Sequence, residues 1–117
     1  MNTEQLRNVA EAIGKLGDIP SPNLGVDLDS VLDAAPIFLR VLTSCWPGRV
    51  FGFSSNEEEA RLTVQRLCLQ VDELIVVSTT EAKFGAIYRS GVLVVISDND
   101  TMLRRIPNDR ARLRLLT

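Results

Sequence analysis

Three charged residues near the middle of the chain have types that could act on a phosphodiester. Asp72, Glu81 and Lys83 form a D…ExK pattern. In a metal-dependent nuclease, two such carboxylates hold a divalent ion and the lysine polarises the phosphate or a water molecule. The tripeptide is common by chance, however, and a solvated turn between strands explains all three charges. A nuclease using these residues is therefore an alternative interpretation.

Two further aspartates follow an apolar run near the end of the chain. Asp98 and Asp100 could hold Mg²⁺, as one half of a phosphate-handling site would require. The other half is missing, because the chain contains neither GxxxxGK nor GxGxxG. Capping of the following helix is the favoured role for both aspartates. The sequence predicts no bound metal and no cofactor.

A serine pair, Ser54 and Ser55, follows a predicted strand and precedes a predicted helix, where an activated serine could lie. The segment GFSSN lacks the second glycine of a nucleophile elbow. The chain has no histidine, which is the commonest general base. Helix capping is again favoured. We therefore predict no catalytic residue and a protein that is not an enzyme.

Composition indicates one packed domain over residues 1–117, since 45% of the residues are hydrophobic. No stretch is long enough for a membrane span, and the first residues lack the apolar block of a signal peptide, so we expect a cytoplasmic protein. Cys45 and Cys68 are predicted to be reduced core thiols.

Positive charge is concentrated at the end of the chain, where residues 107–117 form an Arg-rich tail. The rest of the chain is acidic, and no aromatic residues are interleaved with the arginines, so nucleic acid is not an expected partner. We expect the tail to be a solvated helix end or a docking segment that folding does not require.

The elements needed to position these groups can be predicted from periodicity and turn signals. An amphipathic helix with Leu6 and Ile13 on its apolar face is followed by a loop at 18–25 and a helical turn near Asp29–Ala34. Pro36 before the apolar run and Trp46-Pro47-Gly48 after it favour a hairpin of strands 37–44 and 49–54 over a helix followed by one strand. The next predicted element is a helix of residues 56–71. Strands follow at 73–79, 84–89 and 92–97, with a turn at Ser90-Gly91 between the last two, and a helix comes last.

The resulting fold class is α/β (α+β), with a mostly antiparallel sheet of about five strands and the order α-β-β-α-β-β-β-α. The segments ELIVVSTTEAKFGAIYRSGVLVVISDNDTMLRRI and PIFLRVLTSCWPGRVFGFSS resemble the closing strands and the opening hairpin of small regulatory domains of the Roadblock/LC7 type. That resemblance implies a non-enzymatic homodimer or heterodimer that scaffolds or regulates a small GTPase or a motor complex. A small inhibitor or immunity-type protein is an alternative, since the chain is small and acidic.

A dimer interface is predicted on the helix of residues 56–71 and on the strand that follows it. Ala60, Val64 and Leu67 form the core stripe of this helix, which leaves Leu62 and Leu69 facing outward. The apolar strand at 73–79 lies on a possible sheet edge, where a second chain would cover it. The predicted interface residues are Glu58, Leu62, Gln65, Arg66, Leu69, Leu74 and Val76.

Overall fold

A computed structural model describes residues 3–4, 7, 22–29, 36–97, 99–106 and 111–114. Within these ranges, each strand is followed by a helix until the last strand. The strands are β1 (Asn23–Asp27), β2 (Val50–Ser54), β3 (Glu73–Val76), β4 (Val92–Ser97) and β5 (Ala111–Arg114). The helices are α1 (Pro36–Cys45), α2 (Glu57–Leu67), α3 (Thr80–Arg89) and α4 (Asp100–Arg104). Most of the predicted first helix and of the predicted helical turn lies outside the described residues.

The sheet is parallel throughout, with the strand order β3-β2-β1-β4-β5. The α/β class is thus confirmed, whereas the predicted antiparallel pairing is wrong. Parallel neighbours need crossover connections, and α1, α2, α3 and α4 lie in those connections. The prediction is wrong because α1 and the second half of α3 are predicted to be strands, which leaves too few crossover helices for parallel pairing.

The segment 37–44, predicted to be a strand, is helix α1. Pro36 occupies the first helical position, where its missing N–H has no helical partner to lose. Leu39 and Thr43, four residues apart, form the buried face of the helix. An apolar run of this length fits both periods, and the pairing across the sheet decides between them.

The predicted strand at 84–89 is also helical, as part of α3. The Thr79 side chain accepts a hydrogen bond from the Ala82 N–H and so caps the helix. Phe84 and Ile87 lie three residues apart on the buried face. Ser90 and Gly91 therefore end a helix and do not connect a hairpin, and Gly91 has the positive φ of 66° that a helix end favours.

The central strand β1 lies partly within the predicted loop 18–25. Leu24 and Val26 are fully buried, and β1 pairs with β2 on one side and β4 on the other. Pro20, Pro22 and Gly25 are typical of a loop, so the sequence does not predict this short strand. β4 is buried along almost its whole length, which confirms the prediction of a strand covered on both faces.

Two apolar clusters cover the two faces of the sheet. One contains Leu39 of α1 and Ala60 and Leu67 of α2, packed on β1, β2 and β4. The other contains Phe84 and Ile87 of α3 with Met102 and Leu103 of α4. The molecule is therefore a three-layer α/β/α sandwich around a parallel sheet.

Helix α2 begins at Glu57, one residue after the predicted start, with Asn56 as its N-cap, and it ends at Leu67 and not near Val71. Cys68 adopts the left-handed conformation with φ 55° and breaks the helical period. Leu69 therefore turns inward and is only 5% exposed, so the prediction that it faces outward is wrong. Cys68 and Cys45 are free and exposed, which corrects their placement in the core.

The two ends of the sheet are β3 and β5 in the described strand order. β3 occupies the predicted edge. Residues 111–114 of the Arg-rich tail form β5 and pair with β4, so they are not a helix end. Among the described helices, none is long and apolar enough to cross a membrane.

Candidate functional site

A polar cluster lies where three neighbouring strands end. Asp27 is the last residue of β1, Ser54 the last of β2 and Ser97 the last of β4. The chain runs from β1 outward to β3 and then returns to the other side of β1 for β4. Ligands of parallel α/β sheets bind at the carboxyl ends of the strands where such a reversal occurs. The cluster therefore lies where this topology most often builds a binding site.

Lys83 connects this cluster to helix α3. Its Nζ lies 3.1 Å from Oδ1 of Asp27 and 2.9 Å from Oδ2 of Asp29. The lysine side chain is only 11% exposed and that of Asp27 only 3%. Its position in the first turns of α3 follows from the Thr79 cap, which fixes where the helix starts. One ammonium group thus holds two carboxylates together at the end of the central strand.

Asp29 gathers several hydrogen-bond donors from β2 and the turn after it. The Ser54 hydroxyl donates to Oδ1 over 2.8 Å, and the Ser55 N–H donates to Oδ2 over 3.0 Å. Lys83 supplies the third donor. The Asp29 side chain is 32% exposed, in contrast to Asp27. An accessible anion is thus surrounded by a hydroxyl, a backbone N–H and an ammonium group.

Ser54 and Ser97 have the same local arrangement. Each accepts a 3.0 Å hydrogen bond from the backbone N–H two residues later, Asn56 and Asn99 respectively. With that lone pair used, each hydroxyl donates to a carboxylate, Ser54 to Asp29 and Ser97 to Asp27 at 3.0 Å. The N–H groups of Asn56 and Asn99 therefore help to orient the two hydroxyls, and Oγ of Ser54 also lies 3.0 Å from the carbonyl oxygen of Asn56, a second acceptor for its proton.

Charge compensation shifts two pKa values within this cluster. Burial alone would raise the pKa of Asp29, but hydrogen bonds from Lys83 and Ser54 and the charge of Lys83 outweigh burial and lower it. Burial alone would lower the pKa of Lys83, but the hydrogen bond to Asp29 and the charge of Asp27 raise it. At neutral pH Asp29 is an anion and Lys83 a cation.

An open groove of ≈ 820 Å³ leads away from the cluster along helix α2. It begins at Asp29, Ser54 and Ser55. Its remaining lining residues are Leu28 and six residues of α2, namely Glu59, Ala60, Leu62, Thr63, Gln65 and Arg66. The cluster is therefore open to an organic molecule on this side.

Residues that could hold a metal ion are sparse in the described ranges. There, no three Cys, Asp or Glu side chains lie close enough together to form a metal site. Asp27 and Asp29 are a pair whose facing oxygens share Lys83. The structure does not describe Asp98 or the side chain of Asp100, and Asn99 is the residue that caps α4.

The three residues of the predicted nuclease pattern are not brought together. Asp72 lies before β3, where its Oδ2 accepts a 2.7 Å hydrogen bond from the N–H of Val50, at the amino end of β2. Glu81 forms an ion pair with Arg105. Lys83 alone lies in the cluster, and its carboxylate partners are Asp27 and Asp29.

The predicted interface residues are split between surface and core. Leu62 is 58% exposed and Val76 is 42% exposed, whereas Leu69 is buried. Leu74 is partly buried against the core. The side chains of Glu58, Gln65 and Arg66 are exposed on α2.

Sequence reasoning missed Asp27 and Asp29 as site residues. The signal was present in LGVDLD, where an apolar run ends in two aspartates with one residue between them. Because residues 18–25 are predicted to be a loop, no strand is predicted that would carry these carboxylates at its end. The likeness of Ser54 and Ser97 was also hidden, because it depends on β1 lying between β2 and β4.

In comparisons with known proteins, no family model, curated protein or solved structure matches this chain significantly. The resemblance to Roadblock/LC7 domains stays a prediction from sequence.

Proposed function

We propose that the protein is a phosphotransferase or phosphatase that acts on phosphate monoesters through the Asp27 carboxylate. The observation that carries this proposal is the convergence of the Ser54 hydroxyl, the Ser55 N–H and the Lys83 ammonium on one accessible anion beside Asp27. Charged and neutral donors of this kind bind phosphoryl oxygens in proteins. In this structure the Asp29 carboxylate accepts from the donors that would bind the phosphoryl group of a substrate.

Asp27 has the properties of a nucleophile in this proposal. Its Oδ2 accepts from Ser97, and its Oδ1 accepts from Lys83 and, at 3.3 Å, from the Asp29 N–H. These bonds hold the carboxylate in one orientation at the end of β1. Carboxylates attack phosphorus directly to form an aspartyl phosphate, so no histidine is needed to activate them.

The reaction balances with the residues of the cluster and one water molecule. An Asp27 oxygen bonds to phosphorus while the ester P–O bond breaks, and the leaving oxygen takes a proton from Asp29. Water then attacks the phosphorus of the aspartyl phosphate and gives a proton to the Asp29 carboxylate. Phosphate leaves, the Asp27 carboxylate is restored, and Asp29 is again protonated as it was in the substrate complex. Asp29 takes this proton from solvent when the substrate binds and returns it to solvent when the phosphate leaves.

Asp29 needs a proton for the first step, although it is an anion in the free protein. Its pKa is lowered by the donors that would hold the phosphoryl group in the complex. When the substrate takes those donors, the cause of the lowering is lost and a second negative charge arrives. Both changes raise the pKa of Asp29, so substrate binding would prepare the acid.

Charge balance requires a divalent cation with the substrate. Asp27 and Asp29 carry two negative charges and Lys83 one positive charge, before the phosphoryl charge is added. Mg²⁺ binds carboxylate and phosphate oxygens together and commonly enters a site with the phosphate. We therefore expect hydrolysis to depend on Mg²⁺.

The test is phosphate release from acetyl phosphate and p-nitrophenyl phosphate, with and without Mg²⁺. Asp27→Asn keeps the shape of the side chain, removes its nucleophilic charge, and should lower kcat by on the order of 10³-fold or more. Glu58→Gln is the matched control, since Glu58 is an exposed carboxylate of α2 outside the cluster. Rapid quenching followed by peptide mass spectrometry should find one phosphoryl group on Asp27.

The proposal fails if the wild-type protein releases no phosphate from either substrate in Mg²⁺, or if Asp27→Asn is as active as wild type. Circular dichroism of both variants shows whether a loss of activity is a loss of fold.

A protein-interaction module is the second candidate, and one observation favours it. Strand β3 lies at the end of the described strand order, and Val76 on it is 42% exposed. An edge strand with exposed apolar side chains can pair with another chain. A dimer in light scattering, lost on Val76→Lys, supports this candidate, and a monomer at high micromolar concentration contradicts it.

A further inference from the structure

The groove beside the cluster is formed by one face of helix α2. Glu59, Leu62, Thr63 and Arg66 follow the spacing i, i+3, i+4, i+7, which places them on one side of a helix. The helix starts next to Ser55, so these residues lie at increasing distance from the phosphoryl donors. Between Glu59 and Arg66 the helix axis advances about 10 Å, at roughly 1.5 Å per residue. The groove is therefore much longer than a phosphate group.

The chemistry of the lining changes along this length. Nearest the donors is the exposed carboxylate of Glu59, which can accept hydrogen bonds from hydroxyl groups. In the middle, Leu62 is 58% exposed above a floor that includes the buried Leu28 and Ala60. At the far end lie the exposed side chains of Gln65 and Arg66, which offer amide and guanidinium donors.

This order matches the order of groups in one class of phosphate monoester. A nucleoside monophosphate has a phosphate, then a ribose with hydroxyl groups, then a flat base with acceptor atoms at its edge. Carboxylates accept from ribose hydroxyls, aliphatic side chains cover base faces, and arginine and glutamine donate to purine edges. A hexose phosphate would instead place hydroxyl groups against Leu62.

We infer that the groove along α2 binds the nucleoside part of a nucleoside monophosphate, an inference that rests on the proposed phosphatase function. Glu59 accepts from a ribose hydroxyl, Leu62 covers the base, and Arg66 with Gln65 binds the edge of the base. The phosphoryl group reaches Ser54, Ser55 and Lys83.

The test compares kcat/KM for adenosine and guanosine monophosphates with that for a hexose phosphate in Mg²⁺, with acetyl phosphate as a substrate too short to reach Leu62. Leu62→Ala should lower kcat/KM for the nucleotides about tenfold, because it removes apolar contact area from the base. It should leave acetyl phosphate hydrolysis unchanged. Val41→Ala, an exposed apolar residue of α1 that does not line the groove, is the matched control.

The ribose contact has its own readout. Glu59→Gln should lower kcat/KM for adenosine monophosphate several-fold but have little effect on the 2′,3′-dideoxyribose analogue, which lacks both ribose hydroxyl groups. Glu58→Gln, the neighbouring residue outside the groove, should affect neither substrate. Equal effects of Glu59→Gln on both substrates would overturn the assignment of the ribose.

The outcomes separate this inference from the proposed function. If acetyl phosphate is hydrolysed but nucleotides are no better than a hexose phosphate, or a phosphopeptide is preferred, the inference is wrong and the phosphatase proposal stands. If nothing is hydrolysed, the phosphatase proposal fails, and titration calorimetry with adenosine monophosphate decides the inference. Binding that Leu62→Ala weakens supports a nucleotide groove, and absence of binding overturns it.

Discussion

Nζ of Lys83 lies 3.1 Å from Oδ1 of Asp27, although 56 positions of the chain separate the two residues. Only 11% of the lysine side chain and 3% of the aspartate side chain are exposed, so water does little to screen this pair. Lys83→Met would leave Asp27 and Asp29 facing each other without a cation. We expect the free energy of unfolding to fall by about 3 kcal/mol.

Urea unfolding measures this loss, and an exposed pair provides the control. Arg61 and Glu57 form a 2.7 Å ion pair on α2, with 69% and 59% of their side chains exposed. Arg61→Met should change the free energy of unfolding by less than ~1 kcal/mol. Similar losses for the two variants would show that the buried position of Lys83 is not what matters.

The pKa shifts of Asp29 and Lys83 predict two separate pH ranges of weakening. The pKa of Asp29 is lowered from 3.8, so its stabilising contribution is present above pH 3.8 and is lost as the pH falls through the lower, folded-state pKa. The pKa of Lys83 is raised from 10.5, so its contribution is present below pH 10.5 and is lost as the pH rises through the higher, folded-state pKa.

Thermal unfolding across the pH scale checks both signs. The Tm difference between wild type and Asp29→Asn should be steady near neutral pH and shrink below pH 3.8. The difference between wild type and Lys83→Met should shrink above pH 10.5, where Lys83 loses its charge, and also in acid, where Asp29 loses the charge that Lys83 compensates. An Asp29→Asn difference that grows in acid would mean that the sign of the Asp29 shift is reversed.

The sequence predicts an element correctly where its apolar residues fit the period of a helix or of a strand but not both. The capped start of α2, the edge strand β3 and the buried strand β4 were all found from residues within each element. Residues 37–44 and 84–89 fit both periods, and only the parallel pairing of the sheet makes them helices. The strand order was therefore beyond local reasoning.

The cluster could not be assembled from sequence for a related reason. Its members come from the ends of β1, β2 and β4 and from α3, and no spacing in the chain joins them. Asp27 and Lys83 meet only because β4 returns to the far side of β1. Ser54 and Lys83, taken alone, each have an ordinary explanation, as a helix cap and as a solvated charge.

Two leucines of the predicted dimer interface should respond differently to charge. Leu69 is 5% exposed within the core, so Leu69→Glu should lower the free energy of unfolding by about 3 kcal/mol or more. Leu62 is 58% exposed, and Leu62→Glu should change it by only about 0.5 kcal/mol. Urea unfolding of the two variants would contradict the structure if the losses were equal.

The last strand provides a test of the Arg-rich tail. β5 pairs in parallel with β4 from Val94 through Ser97, so truncation after Asn108 would remove one neighbour of β4. Val94, Val95 and Ile96 are at most 1% exposed. Val94 and Ile96 belong to one apolar cluster and Val95 to the other, which makes β4 central to the fold. The sequence alone predicts that this truncation is harmless, whereas the observed pairing predicts a cost.

We expect truncation after Asn108 to lower the Tm by more than ~4 °C, about 1 kcal/mol for a domain of this size. The lost backbone hydrogen bonds leave an apolar strand as the new edge, so aggregation should also increase with protein concentration. Truncation after Arg114 keeps β5 and should leave the Tm nearly unchanged, which separates the role of the strand from that of chain length. If both truncated proteins melt with the wild type and stay soluble, the pairing of β5 contributes nothing to stability, and the sequence-based expectation of a dispensable tail is the correct one.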